Sequence, residues 1–267
     1  MIPVSVIIPT YKPLDYLWEC LDSFYSQTLE KSKYEVIIVL NGCNEPYNTQ
    51  IMNYIDCHKD VQWRYYQTDE PGVSNARNIG IDKAVGEYVV FVDDDDFVSS
   101  CYLEELLKKA TPQIVSLCYP LSFKDGTSNY LKYYITEDYQ EKSNAIYHFN
   151  KAKKYFSGPV YKMIHRNMIG DRRFNESFKN GEDSLFMFLI SDRMKSIAFT
   201  STNAIYYRRI RLGSAVKGKR RFKEILFNTI RLTLNYSIIY WKHPFKYNFK
   251  FYLTRIMAAI HGFLNQI

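Results

Sequence analysis

Four consecutive carboxylates, Asp93-Asp94-Asp95-Asp96, follow directly on the apolar run Glu87–Val92. Adjacent carboxylates at the end of a buried strand repel one another, each unit of pKa displacement being worth about 1.4 kcal/mol. A divalent cation relieves that repulsion. Oxygen donors of this kind suit Mg²⁺ or Mn²⁺, which take one or two carboxylates from a protein and fill the rest of the shell with phosphate oxygens and water. The plain alternative is a solvated acidic turn ahead of a helix starting near Ser99-Ser100, and the repulsion within four aspartates argues against it. A second segment, Pro71-Gly72-Val73-Ser74-Asn75-Ala76-Arg77-Asn78-Ile79-Gly80, is a turn that opens a helix. A helix N-terminus with an arginine beside it suits a phosphate, although a capped helix with a surface arginine fits this segment equally well on its own. In a third, Asn180-Gly181-Glu182-Asp183, a glycine turn presents two carboxylates at the start of the apolar helix Leu185–Ile190. Acidic residues are common in a first helical turn for dipole reasons. Beside the other two segments, Glu182 and Asp183 are candidates for a general base.

The elements that position these residues are legible in the apolar pattern. Val4–Pro9, Glu35–Leu40, Val61–Gln67 and Glu87–Val92 read as strands, the first, second and fourth as fully buried ones. Helical spacing occupies Leu14–Tyr25, about Pro46–Cys57 and Val73–Ala84. Such alternation implies βαβ units and a mostly parallel sheet flanked by helices, an α/β fold. In such sheets ligands bind beyond the carboxyl ends of the strands, where Thr10-Tyr11 and the aspartates lie. A further strand is expected over Ile114–Tyr119 and two short ones at Ser196–Thr200 and Ala204–Arg209. Residues 120–156 are polar and tyrosine-rich and receive no assignment. From about Lys217 two amphipathic helices follow, parted by His243-Pro244.

Composition bounds the rest. The 267 residues are enough for one catalytic domain with an appendage. Residues 208–267 hold thirteen Lys/Arg against the single acidic Glu224, whereas residues 1–207 hold 22 Lys/Arg against 27 Asp/Glu. A tail that basic meets something anionic. The five cysteines are scattered without a CxxC pair, so neither a disulfide framework nor a zinc site is indicated and a reducing compartment fits. Met1-Ile2-Pro3 leads straight into a strand with no secretory signal pattern, and no run approaches the roughly 20 apolar residues of a membrane span.

Together the segments resemble the inverting family-2 glycosyltransferases with the GT-A fold. The resemblance rests on Pro9-Thr10-Tyr11, Asn41-Gly42, Gly72–Gly80, Gly86-Glu87-Tyr88 with the aspartates, Pro159-Val160-Tyr161-Lys162, Gly181-Glu182-Asp183, and Tyr206-Tyr207-Arg208 with Arg211-Leu212-Gly213-Ser214, in the family's order over roughly residues 2–215. It implies a glycosyltransferase domain over 1–215, with a nucleotide-sugar-binding half at 1–119 and an acceptor half at 120–215, and a basic helical tail at 216–267. It implies that Thr10 and Tyr11 border the nucleotide and that Arg77 approaches the base or diphosphate. Asn41 stands where the family usually has an aspartate that contacts the base. Asp95 would ligate Mg²⁺ or Mn²⁺, with Asp93 or Asp94 on the ribose. Asp183 would be the base and Glu182 its rival. The donor would be a nucleoside-diphosphate sugar, with UDP expected, and the acceptor a saccharide, free or linked to a lipid pyrophosphate, in cell-surface polysaccharide synthesis.

Two other classes compete. A haloacid-dehalogenase-type phosphatase also carries Asp-x-Asp after a strand, but near the N-terminus and followed by Thr or Val, where this chain has Phe97. A non-catalytic sugar- or lipid-binding module with structural Ca²⁺ lacks the calcium-loop spacing it would need. No nucleic-acid-binding signature accompanies the basic tail. Its apolar stripes, Phe222, Ile225, Leu226, Ile230, Leu234, Ile238 and Trp241, then Phe249, Leu253, Ile256, Met257, Ile260, Phe263, Leu264 and Ile267, either pack on the domain or lie on a membrane. Lys219, Arg220, Arg221, Lys223 and Arg231 flank the first stripe, and Lys242, Lys246, Lys250 and Arg255 the second. The charge favours an anionic membrane surface, hence a peripheral place on the cytoplasmic face of the plasma membrane.

Overall fold

The computed structural model describes residues 2–127, 129–131, 134–211 and 222–265. The elements run β1 (Val4–Thr10), α1 (Tyr16–Tyr25), β2 (Tyr34–Asn41), α2 (Tyr47–Cys57), β3 (Gln62–Thr68), α3 (Val73–Lys83), β4 (Tyr88–Phe91) and β5 (Phe97–Val98). Then follow α4 (Tyr102–Lys109), β6 (Ile114–Leu117), β7 (Tyr119–Lys124), β8 (Tyr130–Leu131), α5 (Tyr134–Lys142), β9 (Ile146–His148), β10 (Lys162–His165) and α6 (Arg166–Ile169). The chain ends with α7 (Glu182–Leu189), β11 (Ser196–Phe199), β12 (Ile205–Ile210), α8 (Phe222–Lys242) and α9 (Phe249–Leu264).

The main sheet has the order β3-β2-β1-β4-β10-β6-β11-β9. Its first four strands are parallel, as the βαβ pattern predicts. β1 and β2 are buried along their whole length, which is why they read as unbroken apolar runs. Their side chains alternate between two cores. Ile7, Ile37 and Val89 face one, and Val6, Val36 and Val90 the other. Gly80 lets α3 lie directly on β1, since a Cβ there would stand 2.3 Å from Ile7 Cγ2.

Where the pattern gave out, the structure departs from it. β10, which the sequence did not yield as a strand, runs antiparallel between β4 and β6 in the middle of the sheet. The expected strand Ile114–Tyr119 divides at Cys118. Its first part, β6, stays in the main sheet, and the second, β7, joins a smaller sheet ordered β5-β12-β7-β8. Residues 120–156, unassigned from sequence, contribute β7, β8, α5 and β9.

The two tail helices form a hairpin that completes the first core. Leu232, Tyr236, Tyr240, Tyr247 and Phe251 are buried there, and Tyr240 stacks on Tyr252 across the helix pair at 4.5 Å. The stripes are divided between the two alternatives: Ile225 is buried and Ile256 packs against the core, while most of the aliphatic row does not cover the domain. Leu226, Ile230, Leu234, Ile238 and Trp241 are exposed, as are Phe249, Leu253, Met257, Ile260 and Leu264, and Phe245 at the bend is fully so. The reason is aromatic. Tyr236 and Tyr240 bury larger rings, and the Tyr236 hydroxyl finds Ser184 at 2.6 Å, so the aliphatic row is turned outward. Lys219, Arg220, Arg221, Leu212, Gly213, Ser214, Ile267 and the expected boundary at 215 lie outside the described residues. Among the described residues no helix is long and apolar enough to cross a membrane.

Candidate active site

The carboxyl ends of β1, β2 and β4 converge with the starts of α3 and α7, bringing all three chemical segments together. Arg77 joins them. It lies in the second turn of α3 with its side chain only 4% exposed. One guanidinium nitrogen donates to Asp183 Oδ1 at 2.6 Å and the other to Asp93 Oδ1 at 2.9 Å. An expectation is refined here: Arg77 does not stand beside an open helix N-terminus, and any diphosphate must share its guanidinium with two carboxylates. One planar fork reaches a carboxylate 106 positions away in sequence and another 16 away, a geometry lysine cannot reproduce.

Each aspartate of the run has its own partner. Thr10 donates its hydroxyl to Asp94 at 2.6 Å. Arg211 reaches Asp95 at 2.6 Å. Asp96 is buried and accepts from the Arg209 backbone N–H at 2.7 Å, which makes it a structural member of the run. Arg209 also donates from its side chain to Asp125 and Glu19, closing the small sheet onto α1. The repulsion that argued for a cation is therefore met in part by arginines. It is not removed. Burial, and beyond it the charges of Asp95 and Asp93, push the Asp94 carboxyl up to about 6 against the Thr10 hydroxyl donated to it. Burial and Asp93 likewise raise Asp95 in spite of Arg211. Hard carboxylate oxygens with an unrelieved excess of charge fit Mg²⁺ or Mn²⁺. Among the described residues no three His, Cys, Asp or Glu side chains are grouped to enclose an ion, so phosphate and water would have to supply most of the shell.

Asp183 and Glu182 open α7 after Gly181, which adopts a left-handed φ of 86°. Burial raises the Asp183 carboxyl and the Arg77 charge opposes it. Gly158 borders Asp183, since a Cβ there would stand in ordinary contact with Asp183 Oδ2 at 3.7 Å. Glu182 is raised by burial and then by Asp183, and its Oε2 is buried without a hydrogen-bond partner. Two expected nucleotide contacts differ in kind. Tyr11 is half exposed and open to a ligand. Asn41 is buried and serves as a staple, donating to the Thr10 carbonyl at 2.7 Å and accepting from the Gly72 N–H at 2.8 Å.

Sequence reasoning passed over Arg209 and undervalued Lys162. Period-two alternation along β12 is the signal for the first, because it sets Arg209 and Arg211 on one face while Arg208 takes the other. Lys162 is fully buried, its amine pushed down to about 7 by burial and donating to the Gly158 and Val160 carbonyls. It fastens the loop that borders Asp183.

The sequence profile of glycosyl transferase family 2 matches residues 5–177. The chain belongs to that family. Among relatives of this family-2 glycosyltransferase is the putative glycosyltransferase EpsH of Bacillus subtilis (strain 168), 27% identical over 237 residues, covering 85% of this chain and 65% of that protein. The poly(ribitol-phosphate) beta-N-acetylglucosaminyltransferase TarS of Staphylococcus aureus (strain Mu50 / ATCC 700699) is 27% identical over 240 residues, covering 87% of this chain and 40% of TarS. The chain thus spans less than two thirds of the length of these relatives. The crystal structure of TarS 1-349 in complex with UDP-GlcNAc superposes with a TM-score of 0.68 at 20% identity, over all of this chain and 82% of that one. The mannosyltransferase PcManGT from Pyrobaculum calidifontis, in complex with GDP-Man and Mn²⁺, gives a TM-score of 0.60 at 16% identity, over 97% of this chain and 73% of that one. The shared architecture is a largely parallel central sheet flanked by helices, with a distinct C-terminal helical region.

Proposed function

We propose that the chain transfers a sugar from a nucleoside-diphosphate carrier, a UDP-sugar by preference, onto an acceptor hydroxyl with inversion, in cell-surface polysaccharide synthesis. The observation that carries this reading is the Arg77 fork, which ties a carboxylate of the aspartate run to the candidate base Asp183. The names of EpsH and TarS and the family membership support it.

In this reading Thr10 and Tyr11 border the nucleotide, Asn41 holds the Thr10 and Gly72 backbones beside it, and Asp93 or Asp94 meets the ribose. Asp95 would hold Mg²⁺ or Mn²⁺, which would supply a Lewis acid for the departing diphosphate. Asp183 removes the acceptor proton. The acceptor oxygen bonds to the anomeric carbon as that carbon's bond to the diphosphate oxygen breaks, and the electron pair leaves with the nucleoside diphosphate. One displacement inverts configuration. Arg77 acts through its carboxylates: its charge opposes the burial that raises Asp183 and so favours an ionised base near neutral pH. A panel of nucleotide-sugars assayed for Mn²⁺-dependent hydrolysis and transfer tests the reading. Turnover of one donor with inverted product supports it, and phosphate release from simple phosphoesters with no nucleotide-sugar turnover overturns it.

The α8–α9 hairpin supports a peripheral place on the cytoplasmic face of the plasma membrane. In each helix the outward row lies opposite the buried side, and Lys223, Lys242, Lys246 and Lys250 stand exposed around the rows, with Glu224 the only acidic residue across 222–265. An apolar face bordered by lysine is the pattern of an interfacial helix. Each cation near an anionic leaflet contributes about 1 kcal/mol.

A further inference from the structure

Lys162 is fully buried at the start of β10, the strand that breaks the parallel order of the main sheet. An ammonium is costly in a protein interior and is kept there only where hydrogen bonds hold it. This one donates to the Gly158 carbonyl at 2.7 Å and to the Val160 carbonyl at 3.0 Å, and it lies 4.0 Å from the centre of the Tyr161 ring. All three partners belong to the four residues before β10, so the bonds curl that turn around the amine. Tyr161 within it has a left-handed φ of 53°, which a tyrosine adopts only when its surroundings impose it. The Cys118 N–H donates to the Tyr161 carbonyl at 3.2 Å and fixes the far end of the turn.

The turn lies between two halves of the site. Val160 bridges to Phe91, the last residue of the strand that leads to the aspartates. Gly158 borders Asp183 at Oδ2, whereas Arg77 donates to Oδ1. One oxygen of the candidate base is thus held from α3, and the other faces the turn. An acceptor hydroxyl that gives its proton to Oδ2 sits against Gly158. Burial pushes the Lys162 amine down to about 7, against the Cys118 thiol and the Asp183 charge. Burial also holds the Cys118 thiol, and the Tyr102 hydroxyl of α4 beside it, well above their usual ranges, so both are uncharged at neutral pH. Asp183 of α7 is then the charge that favours the protonated amine, with Arg77 and Asp93 beyond it.

We propose that Lys162 is a positioning residue for the transfer, whose ammonium holds the 158–161 turn against β4 and Asp183 and whose neutral amine lets that turn loosen. The proposal rests on the glycosyl-transfer reading and adds to it a support controlled by a proton. Hydrogen bonds from a charged donor are about twice as strong as those from a neutral one, so loss of the proton weakens both tethers at once. The left-handed Tyr161 then relaxes, Gly158 drifts from Oδ2 and the acceptor loses its alignment. The same loss withdraws one of the charges that oppose the burial of Asp183. Turnover therefore declines as pH rises through the neutral range.

Two measurements test it. In the first, hydrolysis of the preferred nucleotide-sugar in Mn²⁺, with water in place of the acceptor hydroxyl, is followed from pH 6 to 9. Wild-type kcat is expected to fall along an alkaline limb centred near 7. In Lys162→Met, kcat at pH 6.5 should be lower by about ten-fold or more, the usual scale for lost alignment. The limb near 7 should vanish with the amine, so that the two enzymes converge by pH 8.5, and UDP affinity in Mn²⁺ should hardly change. In the second, NMR of the wild type with ¹³C-labelled lysine and ¹⁵N-labelled glycine should find one lysine titrating near 7 and the Gly158 amide moving with the same midpoint. Lys162→Met with wild-type kcat at pH 6.5, a loss equal at every pH, or a Gly158 signal indifferent to the lysine titration would overturn the proposal. Should Lys162→Met lose UDP binding, the wild-type titration alone decides. A wild type that turns over no nucleotide-sugar counts instead against the glycosyl-transfer reading.

Discussion

Arg77→Lys separates the fork from the charge. The substitution keeps a cation in the same buried place, but one ammonium cannot satisfy two carboxylates at 2.6 and 2.9 Å in the directions the guanidinium does. One charge-assisted hydrogen bond is lost, worth about 1.5–3 kcal/mol. At about 1.4 kcal/mol per factor of ten, kcat/KM should fall roughly 10- to 150-fold. The kinetics also tell which bond was lost. Loss of the Asp93 bond weakens the donor side and raises KM. Loss of the Asp183 bond removes part of the influence that opposes burial, so the base protonates more easily and the acidic limb of the kcat profile moves to higher pH. Arg77→Ala is the harsher test and the poorer one, because stranding two carboxylates costs about 3–5 kcal/mol of stability. Steady-state kinetics from pH 5 to 9 and UDP titrations decide the matter. Arg77→Lys with kcat/KM within two-fold of wild type and an unmoved pH profile would refute the reasoning.

Three further outcomes are expected. Asp94 titrates near 6 in the folded chain against 3.8 ordinarily, so the unfolded state loses its proton first and stability falls as pH rises from about 4 to 6; Asp94→Asn should therefore raise Tm at pH 7.5, by at most about 3 kcal/mol of stability, and leave it nearly unchanged at pH 3.5, as thermal melts at both values would reveal. Gly181→Ala introduces a side chain at a left-handed φ and against Leu232, so a loss of about 2–4 kcal/mol is expected by chemical denaturation, with turnover falling because the same turn carries Asp183. Ile238→Asp combined with Met257→Asp places charge on the outward rows and should abolish co-sedimentation with anionic vesicles while the melting temperature holds; unchanged sedimentation would mean that the rows do not meet lipid. Truncation after Ser214 is a poor substitute, since it removes Leu232, Tyr236 and Phe251 from the core.

The parallel half of the sheet was legible because β1, β2 and β4 are buried on both faces and leave unbroken apolar runs. β10 was not, because Lys162 at its start and His165 at its end are polar and both are buried through specific hydrogen bonds, which no hydropathy pattern encodes. Of the site, the residue types were readable and the pairing was not. Nothing in the spacing says that Arg77 and Asp183 meet, since their contact depends on how α3 and α7 close over the sheet. Asn41 was expected at the base only from the resemblance, since it stands where the family usually has an aspartate, and the contacts reveal that both ends of its amide are engaged. Of the tail, the aliphatic stripe was readable but the packing face was not, because Tyr236, Tyr240 and Tyr247 carry it together with Leu232 and Phe251, and a hydropathy count undervalues tyrosine.

Asp183→Asn tests the central claim most directly. The amide keeps the size of the carboxylate and still reaches Arg77, but it cannot take a proton. With the preferred nucleotide-sugar and Mn²⁺, turnover should fall about 10²- to 10⁴-fold while the affinity for UDP stays within two-fold. Wild-type turnover in Asp183→Asn, above all beside an inactive Glu182→Gln, would contradict the account and assign the proton to the neighbouring carboxylate.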